Sequence, residues 1–360
     1  MSHIRTMTGD VQLPAFFPDA THGIVRATGY EDVIESNTPG LVMNCYHLFN
    51  RPGPKLIKSL GGLHGFTGFS RPILTDSGGF QLFSLIRENA AYGEIRDNEI
   101  IFRPDMGKEK LIFTPEKCIQ AQFQYGSDIM MCLDMCTHPD DNDDVQRRSV
   151  ELTIRWAKRC RAEYDKLNKH KPDGERPLIF AIVQGGSDPL LRKACGEALQ
   201  EIGFDGYGFG GWPLDGNGNL RDDILQAAAN AMPDHLPKYA MGLGQPQEIV
   251  RCIGMGYSLF DCVIPTREAR HQRLYTFKDG MASYDGVRVS DGKFYKFYYA
   301  LDDKYARDPK PIEEGCDCAL CKHHSRAFLH HLFKINDSQA YRLATAHNLR
   351  FYARLMEYMR

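Results

Sequence analysis

Short apolar runs that each end in a polar or glycine-rich tip constrain this chain more than any other feature. Leu41-Val42-Met43 leads to Asn44, and Pro72-Ile73-Leu74-Thr75 leads to Asp76-Ser77-Gly78-Gly79. Ile129-Met130-Met131-Cys132-Leu133 leads to Asp134, and Leu178 to Val183 leads to Gln184-Gly185-Gly186. Tyr207-Gly208-Phe209 precedes Gly210-Gly211, Tyr239-Ala240-Met241 precedes Gly242, and Leu259-Phe260 precedes Asp261. Apolar runs of this length between turn signals form buried strands. Helical patterns lie between them, over 115–124, 144–169, 189–201, 221–231 and 246–254. Strand, polar tip and helix, repeated about seven times, define a parallel α/β protein, and at 360 residues a (β/α)8 barrel is favoured over a doubly wound sheet. The tips then share the C-terminal face of the barrel, where such folds carry their chemistry.

After Arg270 the texture changes. Lys278-Asp279-Gly280, Tyr284-Asp285-Gly286 and Ser290-Asp291-Gly292 are Asp-Gly turn signals separated by alternating residues such as Val287-Arg288-Val289, which predicts a small antiparallel meander. A charged, Pro-containing linker runs to Gly315, and 323–360 reads as helical. The expected divisions are therefore a catalytic barrel over 1–270, an inserted meander and linker over 271–315, and a helical unit over 316–360.

Composition is that of an ordinary globular protein, 42% hydrophobic and 25% charged, and no apolar run approaches the roughly 18 residues of a membrane span. The opening MSHIRTMTGDVQ lacks the apolar centre of a signal peptide, so a cytoplasmic protein without a membrane partner is expected. A net charge of −2 provides no overall field towards nucleic acid, which leaves only a local basic patch for such contacts. Most of the eleven cysteines are scattered singly, unlike a disulfide framework.

Cys316, Cys318 and Cys321 are the exception. Three thiolates in six residues, completed by one imidazole, make a closed tetrahedral site of the structural zinc type. His323, His324, His330, His331 and His347 are candidates for the fourth ligand, and spacing does not choose among them. A closed site leaves no open position for catalysis, so its expected role is to fasten the terminal helices to the barrel rim.

Three aspartates occupy strand tips: Asp76, Asp134 and Asp261. Paired carboxylates suit glycosidic-bond chemistry, in which one attacks the anomeric carbon and another handles protons. Gln184 and the glycine pairs accompany them, and glycine suits backbone that approaches a flat ligand closely. Phe80 and Met241 stand next to tips and are placed to sandwich a planar base. The basic stretch Pro265-Thr266-Arg267-Glu268-Ala269-Arg270-His271-Gln272-Arg273 follows Asp261 directly, which makes Arg267 and Arg270 candidates for contact with a phosphate-bearing substrate.

Taken together, these segments resemble the tRNA-guanine transglycosylase (queuine tRNA-ribosyltransferase) family nearly end to end. The carrying motifs are Asn44-Cys45-Tyr46-His47-Leu48, Leu74-Thr75-Asp76-Ser77-Gly78-Gly79-Phe80-Gln81 and Leu133-Asp134-Met135-Cys136-Thr137. Val183-Gln184-Gly185-Gly186, Tyr239-Ala240-Met241-Gly242-Leu243-Gly244, Phe260-Asp261-Cys262-Val263-Ile264-Pro265-Thr266-Arg267 and Thr345-Ala346-His347-Asn348-Leu349 continue the match. The resemblance implies an irregular (β/α)8 TIM barrel with an appended zinc-binding subdomain, and a homodimer. It also implies exchange of the wobble guanine of a tRNA anticodon loop for a 7-deazaguanine base, in queuosine biosynthesis or salvage. Asp261 is then the nucleophile that forms a covalent ribosyl-enzyme, and Asp76 the general acid/base. Asp134, Gln184, Gly210, Gly211 and Gly242 line the base, Phe80 and Met241 stack on it, and Arg267 and Arg270 hold RNA. His347 becomes the fourth ligand of a structural Zn2+ with Cys316, Cys318 and Cys321.

The chain departs from the family pattern in places. Phe80 and Met135 stand where the family commonly has Tyr and Glu, and Trp212-Pro213-Leu214-Asp215-Gly216 replaces a segment such as Leu-Ala-Val-Gly-Glu around the 7-substituent. The incoming base expected is therefore 7-aminomethyl-7-deazaguanine, queuine or a relative such as the nitrile form. Rival readings are a related enzyme that inserts 7-deazaguanines into DNA, a non-catalytic RNA-binding partner subunit, and a carbohydrate glycosidase. Retention of both Asp76 and Asp261 disfavours the silent subunit, and the cysteine cluster and basic stretch give the glycosidase no support.

Overall fold

A computed structural model describes residues 2–104, 106–107 and 110–360. Eight parallel strands form one sheet: β1 (Ala15–Pro18), β2 (Leu41–Asn44), β3 (Ile73–Asp76), β4 (Ile129–Met131), β5 (Leu178–Val183), β6 (Gly206–Phe209), β7 (Lys238–Ala240) and β8 (Leu259–Cys262). Their order is β1-β8-β7-β6-β5-β4-β3-β2. β1 and β2 meet through a parallel bridge between Asp19 and Val42 and a 2.7 Å bond from the Ala20 N–H to the Val42 carbonyl. Sequential parallel strands closing end to end make a TIM-like barrel, as the alternating pattern predicts. Among the described residues, no helix is long and apolar enough to cross a membrane.

The helices pack outside: α1 (Gly79–Glu88), α2 (Pro115–Tyr125), α3 (Asp143–Asn168), α4 (Pro189–Ile202), α5 (Asp222–Asn230), α6 (Pro246–Gly254) and α7 (Ile264–Arg270). Their starts follow from local chemistry. Thr114, Asn142 and Asp188 accept backbone N–H bonds from the first turns of α2, α3 and α4, and Pro115 and Pro189 stand where the missing N–H costs nothing.

Side-chain alternation along the strands creates the site. Phe17, Val42, Leu74, Ile182, Tyr239 and Leu259 face the barrel interior and pack there. Because successive inward positions are two residues apart, the next layer towards the C-terminal rim is Asp19, Asn44, Asp76, Gln184, Met241 and Asp261. An apolar floor thus carries a polar ceiling. At the opposite end, a hairpin of His3–Thr6 and Gly9–Gln12 contributes Ile4 and Val11 to the interior cluster and closes the barrel bottom.

This hairpin, strand β1, the helices α1 and α7, and a three-stranded antiparallel sheet of Gly93–Ile95, Ile100–Phe102 and Leu111–Phe113 are among the elements that lie outside the sequence reading. One expectation is corrected. β9 (Arg273–Phe277) and β10 (Tyr295–Tyr299) do pair antiparallel, but Val287-Arg288-Val289 is not a strand between them. It ends the helix α8 (Tyr284–Val289), whose first turn is capped by Ser283 accepting the Gly286 N–H at 3.1 Å. The Asp285-Gly286 pair read as a turn is inside this helix, where a Cβ on Gly286 would meet the Met281 backbone at 2.7 Å. Helices α9 (Arg326–Lys334) and α10 (Ser338–Tyr358) complete the chain, and a second apolar cluster joins them to β9, β10 and the cysteine segment.

Candidate active site and metal centre

The rim of the barrel divides into two arcs. The first carries the tips of β8, β1, β2 and β3, with Asp261, Asp19, Asn44 and Asp76 in that order. Asp76 accepts the Asn44 side-chain amide at 2.8 Å on Oδ2, and the backbone N–H groups of Cys45 (3.1 Å) and Gly78 (2.9 Å) on Oδ1. Burial pushes its carboxyl up to about 7 against these donors, and the Asp261 charge pushes the same way. Asp261 accepts the Tyr239 hydroxyl at 2.6 Å and the Gly242 N–H at 2.7 Å, both on Oδ1. Burial raises it to about 6, opposed by those two donors and assisted by Asp19. The two acids therefore belong to one electrostatic site. With Oδ1 occupied, Asp261 Oδ2 accepts no hydrogen bond among the described residues.

The second arc carries the tips of β4, β5, β6 and β7. Gln184 donates from Nε2 to Asp134 Oδ2 at 2.7 Å, while Gln184 Oε1 is buried with no hydrogen-bond partner among the described residues. Burial raises the Asp134 carboxyl to about 6, and the Gln184 amide opposes this. A buried acceptor without a donor is costly, so Oε1 is suited to an N–H brought by a ligand. β6 supplies the space: a Cβ on Gly206 would meet the Phe180 ring at 2.5 Å, on Gly208 the Met241 Sδ at 3.0 Å, and on Gly210 the Gln184 Nε2 at 2.5 Å. Gly211 has φ +103°, which exposes its backbone where a side chain would be strained. Phe80 is 43% exposed above the arc, and Met241 is half-buried opposite the glycine column. An exposed aromatic and an adaptable thioether are both residue types that pack well on a flat ring.

Arg192 on α4 holds this arc together. It is fully buried and donates to the carbonyls of Gly186 (2.9 Å), Val183 (3.2 Å) and Gly210 (3.2 Å). Its guanidinium lies over the Phe209 ring at 4.6 Å, and burial lowers it to about 10, which leaves it charged at neutral pH. One side chain thus joins the loops that carry Gln184 and Gly211. Beside them lies a cavity of about 110 Å³, lined by Thr137, His138, Gln146, Trp212 and Arg221 among others. Trp212 packs edge-on against Phe80 at 5.7 Å and His138 at 5.3 Å.

The basic stretch forms α7. Arg267 is exposed; Arg270 is half-buried, and its buried Nη1 has no hydrogen-bond partner among the described residues. Burial lowers the Arg270 pKa, with Arg26 adding to the effect and Asp19 opposing it. Glu268 between them is buried and pairs with Arg273.

Of the five candidate histidines, the fold brings His347 to the cysteines. Its Nδ1 lies 3.8, 3.4 and 3.4 Å from the sulfurs of Cys316, Cys318 and Cys321, and all four ligand atoms fall within 4.8 Å of one another. Those separations suit a tetrahedron of three sulfurs and one nitrogen, with metal–ligand bonds of roughly 2.0–2.3 Å. His347 Nε2 lies 2.8 Å from the Tyr275 carbonyl, which fixes the proton there and leaves Nδ1 free to bind metal. The adjacent Asn348 donates to the carbonyls of Pro265 and Arg273 and accepts the Tyr275 N–H. The centre therefore ties α10 to the ends of α7. His330 lies instead near Asp303, and His324 stacks on Phe328.

Sequence reading gave no site role to Tyr239, Asp19 or Arg192, and placed Asn44 only as a strand tip. The period-two alternation contains the signal for Asn44 and Asp19; nothing in the sequence marks Tyr239 or Arg192, whose partners are distant in the chain.

A family model described as queuine tRNA-ribosyltransferase matches residues 1–360. The chain is 40% identical over 358 residues to the queuine tRNA-ribosyltransferase of Thermoanaerobacter sp. (strain X514), spanning 99% of this chain and 88% of that protein. It is 39% identical over 356 residues to the protein of that name from Pseudoalteromonas atlantica (strain T6c / ATCC BAA-1087), spanning 98% and 87%. With the same name, the Actinobacillus pleuropneumoniae serotype 3 (strain JL03) protein is 39% identical over 350 residues, spanning 97% and 85%. The polar ceiling of the barrel, the Cys3His centre and a match over the whole chain lead to one conclusion: this protein belongs to the queuine tRNA-ribosyltransferase family.

Proposed function

We propose that this enzyme is a tRNA-guanine transglycosylase of queuosine biosynthesis or salvage, exchanging the wobble guanine at about position 34 of tRNA for a 7-deazaguanine. The observation that carries the reading is the placement of Asp76 and Asp261 at strand tips on one rim arc, with Asp134 hydrogen-bonded to Gln184 on the other. Asp261 Oδ2 attacks C1′ of the ribose, the C1′–N9 bond breaks, and the leaving purine takes a proton from Asp76. The incoming base gives its N9 proton back to Asp76 and attacks C1′, which frees the Asp261 carboxylate. A carboxyl raised to about 7 is matched to giving and then taking a proton at neutral pH. Asp261, lower at about 6, is mainly ionised there. Asp134 rejects adenine, which would leave its buried carboxyl without a donor.

The cavity beside Trp212, next to Gly211, favours a base with a 7-substituent such as 7-aminomethyl-7-deazaguanine or queuine. Phe80 and Met241 stack on the base, Gly210, Gly211 and Gly242 give it backbone access, and Arg267 and Arg270 take anticodon-loop phosphates. Zn2+ is the metal we assign to Cys316, Cys318, Cys321 and His347, since three thiolates and an imidazole in a closed tetrahedron match its preference. We assign catalysis to 1–270, substrate-side support to 271–315, and the zinc staple to 316–360. A cytoplasmic homodimer is the form we infer from the family resemblance.

Incubation with tRNA or duplex DNA and labelled guanine or 7-deazaguanines tests the reading. Incorporation into tRNA at the wobble position, with a tRNA–protein adduct on denaturing gels that Asp261→Asn abolishes, is expected. Labelling of DNA alone would replace this reading with the DNA-modifying one.

A further inference from the structure

Asp19 occupies the rim between the two proposed catalytic acids, and the exchange chemistry above assigns it no task. It stands one inward position above Phe17 on β1, in the same layer as Asp261, Asn44 and Asp76. β1 pairs with β8, with Asp261 opposite Phe17 and Cys262 opposite Pro18, so Asp19 rises beside the proposed nucleophile on the neighbouring strand. The loop it opens is held from the other side. The Ala20 N–H bonds to the Val42 carbonyl at 2.7 Å and the Asn44 N–H to the Thr21 carbonyl at 3.3 Å. Asn44 is the residue whose side chain grips Asp76. Asp19 is thus braced between the strand of Asp261 and that of Asn44, which holds Asp76, on the arc where the sugar must lie if the base fills the opposite arc.

Its charge is directed into the same space. The Thr21 hydroxyl donates to Asp19 Oδ1, and among the described residues no hydrogen bond goes to Oδ2. Asp261, His47 and Arg270 all feel the Asp19 charge. His47 packs against His22 with ring centres 4.7 Å apart, and Arg270 Nη1 is buried with no partner among the described residues. A carboxylate oxygen that accepts no hydrogen bond among the described residues, beside the proposed nucleophile, matches a ribose hydroxyl.

We propose that Asp19 accepts a hydrogen bond from the 2′-hydroxyl of the nucleotide attacked by Asp261, and so makes ribose the preferred sugar over deoxyribose. The assignment rests on the transglycosylase reading. Physically, a 2-hydroxyl next to an anomeric carbon gains acidity as positive charge develops there, so a hydrogen bond to a carboxylate strengthens in the transition state. The 2′-hydroxyl is also the group that distinguishes RNA from DNA at a single nucleotide.

The test compares two anticodon stem-loop RNAs, one all-ribo and one carrying a single 2′-deoxyguanosine at the target position. Each is assayed for exchange of labelled guanine with the wild-type protein, Asp19→Ala and Asp19→Asn. The ratio of kcat/KM for the ribo over the deoxy substrate is expected to fall about tenfold or more in Asp19→Ala, and less in Asp19→Asn, whose amide oxygen still accepts. Thermal melting of each variant separates this from unfolding, and a folding defect alone leaves the ratio intact. Equal losses on both substrates in Asp19→Ala, or no loss on either, overturn the assignment. A wild-type protein inactive on both substrates overturns the transglycosylase reading itself, and this assignment with it.

Discussion

Gln184 bridges two partners that sequence places far apart: its Nε2 donates to Asp134 at 2.7 Å, and that same nitrogen would lie 2.5 Å from any Cβ on Gly210. The amide is thereby fixed with Oε1 left as an open acceptor. Asp134→Asn removes the acceptor charge from this pair and is expected to lower kcat/KM for guanine exchange roughly 30-fold or more, by the usual strength of a charged buried hydrogen bond. Gly210→Ala, which must displace Gln184 and Ile182, is expected to raise the KM for the base and to cost about 1–3 kcal/mol of stability. Steady-state exchange with labelled guanine measures both, and unchanged kinetics in either variant would remove the base-edge assignment.

The raised carboxyls make activity pH-dependent in a defined sense. Asp261 must be ionised to attack, so the rate should rise through about 6; Asp76 must carry a proton to protonate the leaving base, so the rate should fall through about 7. A narrow bell in kcat/KM between those limits is expected. A profile flat between about pH 5 and pH 9 would contradict the acid/base pairing.

The same shifts act on stability. A folded-state carboxyl raised above its unfolded value favours the folded chain at low pH, and that contribution is lost as pH rises from about 4 through about 7. At neutral pH and above, charged Asp76 therefore opposes folding. Asp76→Asn should melt a few degrees higher than the wild type near pH 8, on the order of 1–2 kcal/mol after allowance for its partial exposure, and show no such gain near pH 4. Melting curves at the two pH values decide this, and a variant less stable at both would refute the sign.

Arg192 is a positioning residue for the base arc. Arg192→Lys keeps a charge but cannot reach the carbonyls of Val183, Gly186 and Gly210 together. The expected outcome is a loss of about 2 kcal/mol in stability and about a tenfold higher KM for the base, with kcat less affected. A stability loss with an unchanged base KM would reduce Arg192 to a packing role.

Metal removal should separate the barrel from its appendage. Cys318→Ala or a strong chelator is expected to take bound zinc from about one per chain to near zero and to lower the melting temperature. Because Asn348, next to His347, holds the carbonyls of Pro265 and Arg273, the KM for RNA should rise more than the KM for the base. Retention of metal by Cys318→Ala in elemental analysis would exclude the Cys3His set.

The barrel and most of its rim were legible in the sequence because strand periodicity is local. Apolar runs ending at Asp76, Gln184 and Asp261 mark both the strands and the face that carries the tips, and a run of Cys-x-Cys-x-x-Cys specifies three metal ligands without reference to the fold. Other features needed tertiary structure. Spacing left the fourth ligand open among five histidines, the family resemblance pointed to His347, and α10 places that residue beside the cysteines and under Tyr275. An Asp-Gly pair serves equally as a hairpin turn or in the first turn of a helix, and packing against Met281 chose the helix at 284–289. β1 escaped notice because its four residues end in Pro18 and no long helix announces it, and Asp19 went with it. Tyr239 reads as one more apolar strand residue until β8 lies beside it and its hydroxyl meets Asp261. Sequence alone determined the chemistry available at each strand end, since that depends on residue type and period. Which of those groups share a rim arc, and which oxygen of each is left open, was decided by strand pairing in the barrel, which brings Tyr239 to Asp261, Asn44 to Asp76 and Gln184 to Asp134 across 22, 32 and 50 residues of sequence.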